Sequence, residues 1–164
     1  MDGELASEGI SEFSQYLRHN IDSLSATGPV PFEEELEHVK HYVSLQQLRF
    51  GDALDVRYDL GCTDFKLPTL TLQPLVENAI RYGVRKSETG EGTVLVRTAE
   101  FADRYEVDII DNGPGIVPDT LPDDCLSPAK LNNVRERLQR ECEGQLNVVS
   151  APGKGTRVTM ILPK

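Results

Sequence analysis

The chain has 164 residues, of which 38% are hydrophobic, and this is enough to bury one core. Its 27 acidic and 17 basic residues give a net charge of −10, which repels nucleic acid unless a basic patch overrides it. Small anions can still bind through backbone N–H groups and a metal ion. Composition therefore argues against a nucleic-acid partner and leaves a nucleotide ligand open.

No stretch approaches the roughly 20 apolar residues of a membrane helix, and the start MDGELASEG lacks the features of a secretory signal. We therefore expect a soluble, cytoplasmic chain without direct membrane contact. The three cysteines have no CxxC spacing, which argues against a disulfide framework or a zinc site.

The first part of the chain predicts two helices and a strand. ISEFSQYLRHNIDSL (10–24) has apolar residues at helical spacing, and SATGPVP ends the pattern. We therefore expect an N-terminal helix and linker over 1–30 and one domain over 31–164. A second helix is predicted from Phe32 to about Phe50, because its acidic first turn suits a helix N-terminus. ALDVRYDL (53–60) alternates as a half-buried strand does.

The second part predicts two helices and two hairpins. LPTLTLQPLVENAIRYG (67–83) predicts a helix that begins near Pro68 and ends at Gly83. GTVLVRTAEF and RYEVDII read as a hairpin, and a loop from 111 to about 128 follows. LNNVRERLQRE predicts the last helix, and QLNVVSAPGKGTRVTMILP predicts a closing hairpin. This order favours an α+β two-layer sandwich, with a mixed, mainly antiparallel sheet and helices on one face.

The stretch DNGPGI (111–116) follows a strand whose parity gives its aspartate a direction. Tyr105, Val107 and Ile109 alternate along the strand, and Asp111 continues their apolar face. A carboxylate there needs a hydrogen-bonding partner, and an amino group of a ligand could supply it. The alternative is a type I′ turn at Asn-Gly, although IVPDTLPDD is a poor return strand.

A polar group lies on the third predicted helix, where Glu77, Asn78, Arg81 and Tyr82 fall largely opposite the apolar side. An amide that can bind metal and a cation one turn away suit a magnesium nucleotide. The alternative is a solvated face with an ion pair between Glu77 and Arg81. Similarly, APGKGT (151–156) could cradle phosphate, but a hairpin turn is the safer interpretation.

Four stretches together resemble a known family. LQPLVENAIRYG, DNGPGI, LNNVRERL and GKGTRVTMILP are similar to the N box, the first glycine box, the helix after the lid and the final glycine box of LytS-like sensor histidine kinases. This family belongs to the GHKL superfamily of ATPases with the Bergerat nucleotide fold. The resemblance covers approximately residues 10 to 164.

The resemblance implies a function as well as a fold. The chain would be the ATP-binding catalytic domain of a two-component sensor histidine kinase, using ATP and Mg²⁺ to donate the γ-phosphate to a histidine on a separate helix. Its partners would be the phosphoacceptor helix and the response regulator of the parent kinase. The parent would be a homodimer in the bacterial plasma membrane.

The resemblance also implies roles for the matching residues. Asn78 would coordinate Mg²⁺, with Arg81 near the phosphates and Tyr82 flanking the nucleotide. Asp111 would accept a hydrogen bond from the adenine amino group. Glu77 is next to the metal-binding asparagine, and a general-base role is assigned to it by position alone. The other nucleotide-binding residues implied by the match are Gly113, Gly115, Ile116, Lys130, Asn133, Gly153, Gly155 and Thr156.

The chain departs from the family pattern before the last helix. Family members commonly carry Gly-x-Gly where this chain has Pro128, Ala129 and Lys130. Proline lacks an N–H donor and alanine resists positive φ, so we expect weakened nucleotide affinity or turnover. This departure motivates an alternative function, a degenerate pseudo-kinase that serves as a docking module.

The second departure is that no motif resembling the acceptor sequence NPHFLFN occurs. His19, His38 and His41 are interpreted as surface residues of helices, and the chain as the catalytic end of a longer receptor or a truncated relative. A further alternative is an ATP-hydrolysing GHKL domain. Such domains commonly place a catalytic glutamate one turn before the metal-binding asparagine, and Pro74 occupies that position here.

Overall fold

A computed structural model describes residues 10, 11, 13–18, 21, 28–85, 91–115 and 128–164. The helical residues 10, 11, 13–18 and 21 form α1. The elements that follow are β1 (Val30–Pro31), α2 (Phe32–Phe50), a 3-10 turn (Gly51–Ala53), β2 (Leu54–Leu60), β3 (Lys66–Leu67), α3 (Leu72–Arg85), β4 (Gly92–Glu100), β5 (Arg104–Asp111), α4 (Pro128–Cys142), β6 (Gln145–Ser150) and β7 (Thr156–Pro163).

The main sheet has five strands in the order β2-β4-β5-β7-β6. Both predicted hairpins are present as antiparallel pairs, β4 with β5 and β6 with β7, whereas β2 pairs with β4 in parallel. A small second sheet joins β1 to β3. It was not predicted, because strands of two residues are too short to show alternation. The predicted α+β fold with a mixed, mainly antiparallel sheet is confirmed.

One face of the main sheet forms the core with the helices. Val96, Ile109 and Val158 lie side by side on neighbouring strands and are almost completely buried. Helix α2 packs near β2, α3 on β4 and β5, and α4 on β6 and β7. The opposite face carries ion pairs such as Arg97 with Asp59 at 3.0 Å. The molecule therefore has two layers, with its helices over one face of the sheet.

Two helices differ from their predicted bounds. Helix α3 begins at Leu72 and continues through Gly83 to Arg85. Helix α4 begins at Pro128, three residues before the predicted start. Proline suits the first helical position, where its missing N–H costs nothing. Pro128 and Lys130, which were interpreted as part of the lid, therefore belong to the first turn of a helix.

Among the described residues of helix α1, Tyr16 contacts the rest of the chain through its ring and its hydroxyl. The Tyr16 ring stacks on His38 of α2 with 5.3 Å between ring centroids and 10° between planes. His38 is only 1% exposed, so its interpretation as a surface residue is wrong: it lies on the buried side of α2 and beneath Tyr16. His19 lies outside the described residues. The apolar residues of α1 that remain exposed are Ile10, Phe13, Leu17 and Ile21.

Within the part of the chain that the structure describes, no helix combines the length and the apolarity needed to cross a membrane.

Candidate active site

Asp111 lies at the end of β5 and its side chain points into the molecule, as strand parity predicts. It is 5% exposed and follows Val107 and Ile109 on the buried face. Its Oδ1 accepts a hydrogen bond from the backbone N–H of Gly113 at 2.9 Å. Burial raises the pKa of the Asp111 carboxyl to about 6, against the opposing effect of the backbone N–H groups of Gly113 and Thr156.

The backbone approaches Asp111 closely at two glycines. A Cβ on Gly113 would lie 2.9 Å from Asp111 Oδ1 and 2.9 Å from the carbonyl oxygen of Tyr82. Gly155 has a φ of +78°, and a Cβ there would overlap the carbonyl oxygen of Asp111. Only glycine fits either position without a shift of the backbone.

The two glycine-rich turns pack against each other. The N–H of Gly153 donates to the carbonyl oxygen of Pro114 at 2.7 Å. A Cβ on Gly115, which has a φ of +76°, would overlap the carbonyl oxygen of Ala151. Residues 151–155 connect the paired strands β6 and β7, as the hairpin interpretation predicts. Thr156 follows directly, and its hydroxyl lies 2.9 Å from that of Ser150.

A cavity of about 280 Å³ opens between α3 and α4. Its lining includes five of the residues that the family resemblance assigns to the site: Glu77, Asn78, Arg81, Lys130 and Asn133. The other lining residues are Leu70, Pro74, Leu75, Leu131, Val134 and Arg137. Arg137 was not among the predicted site residues, although it lies four residues after Asn133, one helical turn further along the same side of α4.

The charges around the cavity favour an anion. Among the lining residues that the structure describes, Arg81, Lys130 and Arg137 contribute cationic side chains and Glu77 contributes a carboxylate. Glu77 Oε1 accepts hydrogen bonds from Gln73 Nε2 at 2.6 Å and from the Tyr16 hydroxyl at 3.1 Å. The polar side of α3 thus borders a cavity and the N-terminal helix and is not simply a solvated face.

The structure separates the proposed site residues into two groups. Five line the cavity, whereas Asp111, Thr156 and the glycines at 113, 115, 153 and 155 gather around the two turns. Helix α3 joins the groups, since Arg81 borders the cavity and the carbonyl oxygen of the next residue, Tyr82, adjoins Gly113. Ile116 lies outside the described residues.

The structure thus contains an amide side chain suited to a metal ion, cationic side chains and an inward-pointing aspartate. The part of the sequence that carries them matches a known protein family. Residues 63–164 match the family described as histidine kinase-, DNA gyrase B-, and HSP90-like ATPase. The chain belongs to this family. Residues 1–54, which include α1 and α2, match the family described as histidine kinase.

The predicted resemblance to LytS-like sensor histidine kinases is confirmed by the relatives of this chain. The chain is 36% identical over 167 residues to the putative uncharacterized protein YwpD of Bacillus subtilis, covering 99% of this chain and 60% of that protein. It is 30% identical over 177 residues to the sensor protein LytS of Oceanobacillus iheyensis, covering 99% and 30%. The chain thus spans less than two thirds of the length of either relative.

Solved structures of histidine kinases share the fold of this ATPase family member. The histidine kinase domain of the blue-light activated kinase of Erythrobacter litoralis EL346 aligns with a TM-score of 0.60 and 18% identity, covering 99% of this chain and 80% of that one. The histidine kinase ThkA, in complex with the response regulator protein TrrA, aligns with a TM-score of 0.59 and 13% identity, covering 94% and 48%. At these identities the likeness concerns the fold.

Proposed function

We propose that the chain is the ATP-binding catalytic domain of a two-component sensor histidine kinase, which donates the γ-phosphate of ATP to a histidine on a separate helix. The observation that carries this proposal is the cavity between α3 and α4. There, Asn78 and Arg81 of one helix face Lys130 of the other. An amide oxygen and cations from two elements around one space are the groups that a magnesium nucleotide requires.

The donor set fits ATP with Mg²⁺. The side-chain oxygen of Asn78 is a hard ligand of the kind Mg²⁺ accepts beside phosphate oxygens and water. Arg81 and Lys130 can contact the phosphates. Asp111 can accept a hydrogen bond from the adenine amino group, which would add a partner to a buried carboxyl that Gly113 already contacts. When bound, Mg²⁺ would neutralise charge on the phosphates.

Phosphoryl transfer asks little covalent chemistry of these residues. The bond from the γ-phosphorus to the bridging oxygen breaks, a bond to an imidazole nitrogen forms, and ADP leaves while the imidazole releases a proton. Asn78, Arg81 and Lys130 would position the phosphates, and Glu77, which lines the same cavity, would accept the proton. Its hydrogen bonds from Gln73 and Tyr16 would orient it.

The same proposal extends to the parent protein. The exposed apolar residues of α1 lie at intervals of three and four, as on one side of a helix that packs against another helix. They suit a dimeric parent in which a neighbouring helix carries the acceptor histidine. A response regulator would receive the phosphoryl group, and the domain would lie on the cytoplasmic side of the membrane.

The alternative, a pseudo-kinase docking module, rests on Pro128, Ala129 and Lys130. Glycines at 128 and 130 would restore the family pattern, and a large gain in ATP affinity would support a decayed enzyme. An unchanged affinity would show that the native segment already suffices. Because Pro128 begins α4, thermal unfolding of the variant must be measured alongside.

Isothermal titration with Mg-ATP tests the proposed function directly. We expect saturable binding and competition with a fluorescent nucleotide. Asp111→Asn should abolish binding while the thermal unfolding transition stays cooperative. Absence of both heat and competition would overturn the binding claim, and an unchanged affinity of the folded Asp111→Asn protein would remove Asp111 from the site.

A further inference from the structure

The turn that precedes α3 is contacted by side chains from two other helices. The first N–H groups of a helix need acceptors, and a Ser, Thr, Asp or Asn just before the helix usually supplies one. Thr71 holds that position, and its hydroxyl donates to the carbonyl oxygen of Pro68 at 2.7 Å. The preceding Leu70 has a φ of +55°, a costly conformation for a residue with a side chain. This turn therefore needs support from elsewhere.

The support comes from Glu35 of α2. Glu35 is 0% exposed, and its Oε1 accepts a hydrogen bond from the backbone N–H of Leu70 at 3.1 Å. The two residues are 35 positions apart in the sequence. Burial raises the pKa of Glu35, whereas the backbone N–H groups of Leu70, Leu72 and Thr71 favour its charged form. A carboxylate at this end also complements the positive end of the helix dipole.

The other side of the turn is held from α4. Arg137 Nη1 donates to the carbonyl oxygen of Thr69 at 2.7 Å. Arg137 and Leu70 both line the cavity between α3 and α4. The turn at 69–71 is thus fixed by one side chain from α2 and one from α4, at the edge of the proposed phosphate site.

We propose that Glu35 is a positioning residue for the metal-binding asparagine. Asn78 lies six residues after Leu72 on the same helix, about 9 Å along its axis. A helix held at its first turn keeps its direction, so a shift at 70–72 would move Asn78 and Arg81 relative to α4. Glu35 is not among the described residues that line the cavity, so it would act through the position of α3.

The inference rests on the proposed function, and it gives α2 an indirect role at the nucleotide site. Glu35 belongs to the range that matches the histidine kinase family, and Asn78 to the range that matches the ATPase family. A displacement of α2 would therefore be felt at the metal ligand. His38, one turn after Glu35, stacks on Tyr16 of α1, so the position of α1 bears on the same helix.

The test compares Glu35→Asp, Glu35→Gln and Glu35→Ala with Glu34→Ala, an exposed neighbour on the same helix. ATP affinity is measured by competition with a fluorescent nucleotide, with Mg²⁺ and with EDTA, at a temperature where each variant is folded. The aspartate keeps the charge but is one methylene shorter, whereas glutamine keeps the length and the acceptor oxygen. The Mg²⁺ dependence of the ATP affinity reports on Asn78. A loss of stability alone would not change this dependence.

We expect Glu35→Asp and Glu35→Ala to lose at least about tenfold in affinity with Mg²⁺ and less in EDTA. Glu35→Gln should stay within about threefold of the wild type, and Glu34→Ala should match it. If Glu35→Ala does not fold, Glu35→Asp alone decides. Wild-type affinity in folded Glu35→Asp, or an equal loss with Mg²⁺ and with EDTA, would overturn the inference. A wild-type protein that binds no ATP would instead overturn the proposed function.

Discussion

Asp111 and Thr156 lie opposite each other on the neighbouring strands β5 and β7. The pairing places the Asp111 carboxyl between the sheet and the helices, where burial raises its pKa from 3.8 to about 6. The raised pKa means that the folded protein disfavours the ionised carboxyl relative to the unfolded chain. Its ionisation is therefore linked to unfolding.

This linkage predicts how stability depends on pH. Because the folded pKa lies above the unfolded one, the contribution of Asp111 is fully present below pH 3.8 and is lost as the pH rises through about 6. The loss amounts to about 3 kcal/mol, at about 1.36 kcal/mol per unit. Asp111→Asn removes this pH-dependent loss. The stability of the variant relative to the wild type should therefore increase as the pH rises from 4 to 7.

Urea unfolding across this pH range measures the effect. Other carboxyl groups titrate in the same range, so the quantity of interest is the difference between wild type and Asp111→Asn. Asp52→Asn, at an exposed position on the 3-10 turn, is the matched control. A difference that stays constant with pH for Asp111→Asn would contradict the prediction.

The two glycines of the last turn allow a comparison of strain with steric overlap. Gly153 and Gly155 have similar φ values, +73° and +78°. A Cβ on Gly153 would meet nothing within 4 Å, whereas one on Gly155 would overlap the carbonyl oxygen of Asp111. Gly153→Ala should therefore cost only the strain of positive φ, about 1 kcal/mol.

Gly155→Ala should cost about 3 kcal/mol or more, because the backbone beside Asp111 must also move. The free energy of unfolding from denaturant titration gives both values. Equal losses in the two variants would show that strain alone matters at this turn and that the close approach to Asp111 is unimportant.

Local pattern was sufficient to predict most of the fold. The alternation that ends at Asp111 gave its inward direction, and the spacing on α3 gave a polar side with Asn78 and Arg81, both of which reach the cavity. Such features depend on residues close together in sequence, so periodicity reveals them. The parallel pairing of β2 with β4 left no comparable local signal.

Long-range polar contacts could not be predicted from local pattern. Glu35 was interpreted as part of an acidic first turn that favours its own helix, α2. In the structure its side chain is buried against the turn that precedes α3. Tyr16 counted as one apolar member of a helical stripe, yet its hydroxyl contacts Gln73 and Glu77. In both cases the partner is distant in sequence, and only the packing of helices brings it close.

Lys130 should contribute to phosphate binding by charge. It lies in the first turn of α4 and lines the cavity, whereas Arg140 lies in the last turn of the same helix with 75% of its side chain exposed. Lys130→Gln should weaken ATP binding about two- to fivefold, an effect typical of an exposed charge, and the effect should shrink at high salt. Arg140→Gln removes the same charge away from the cavity and should leave the affinity unchanged.

Titration with ATP and with adenosine separates the phosphate effect from other effects. The loss in Lys130→Gln should appear with ATP and be absent with adenosine. Equal losses for both ligands, or an equal effect of Arg140→Gln, would show that Lys130 does not act on the phosphates.

Tyr16 should hold α1 against the domain by two separable contacts. Its ring stacks on His38, and its hydroxyl donates to Glu77 and accepts from Gln73 Nε2 at 2.8 Å. Tyr16→Phe removes only the hydrogen bonds, of which one involves a charged group, and should cost about 1–3 kcal/mol of docking free energy. Tyr16→Ala removes the ring as well and should release α1 more completely.

Hydrogen exchange of the α1 amides measures this release, since exchange reports the free energy of local opening. We expect protection to fall in two steps, from wild type to Tyr16→Phe and then to Tyr16→Ala. Phe13→Ala, at a 51% exposed position of the same helix, should leave protection unchanged and is the control. If the α1 amides of Tyr16→Ala exchange as slowly as those of the wild type, α1 is held by other contacts and the prediction is wrong.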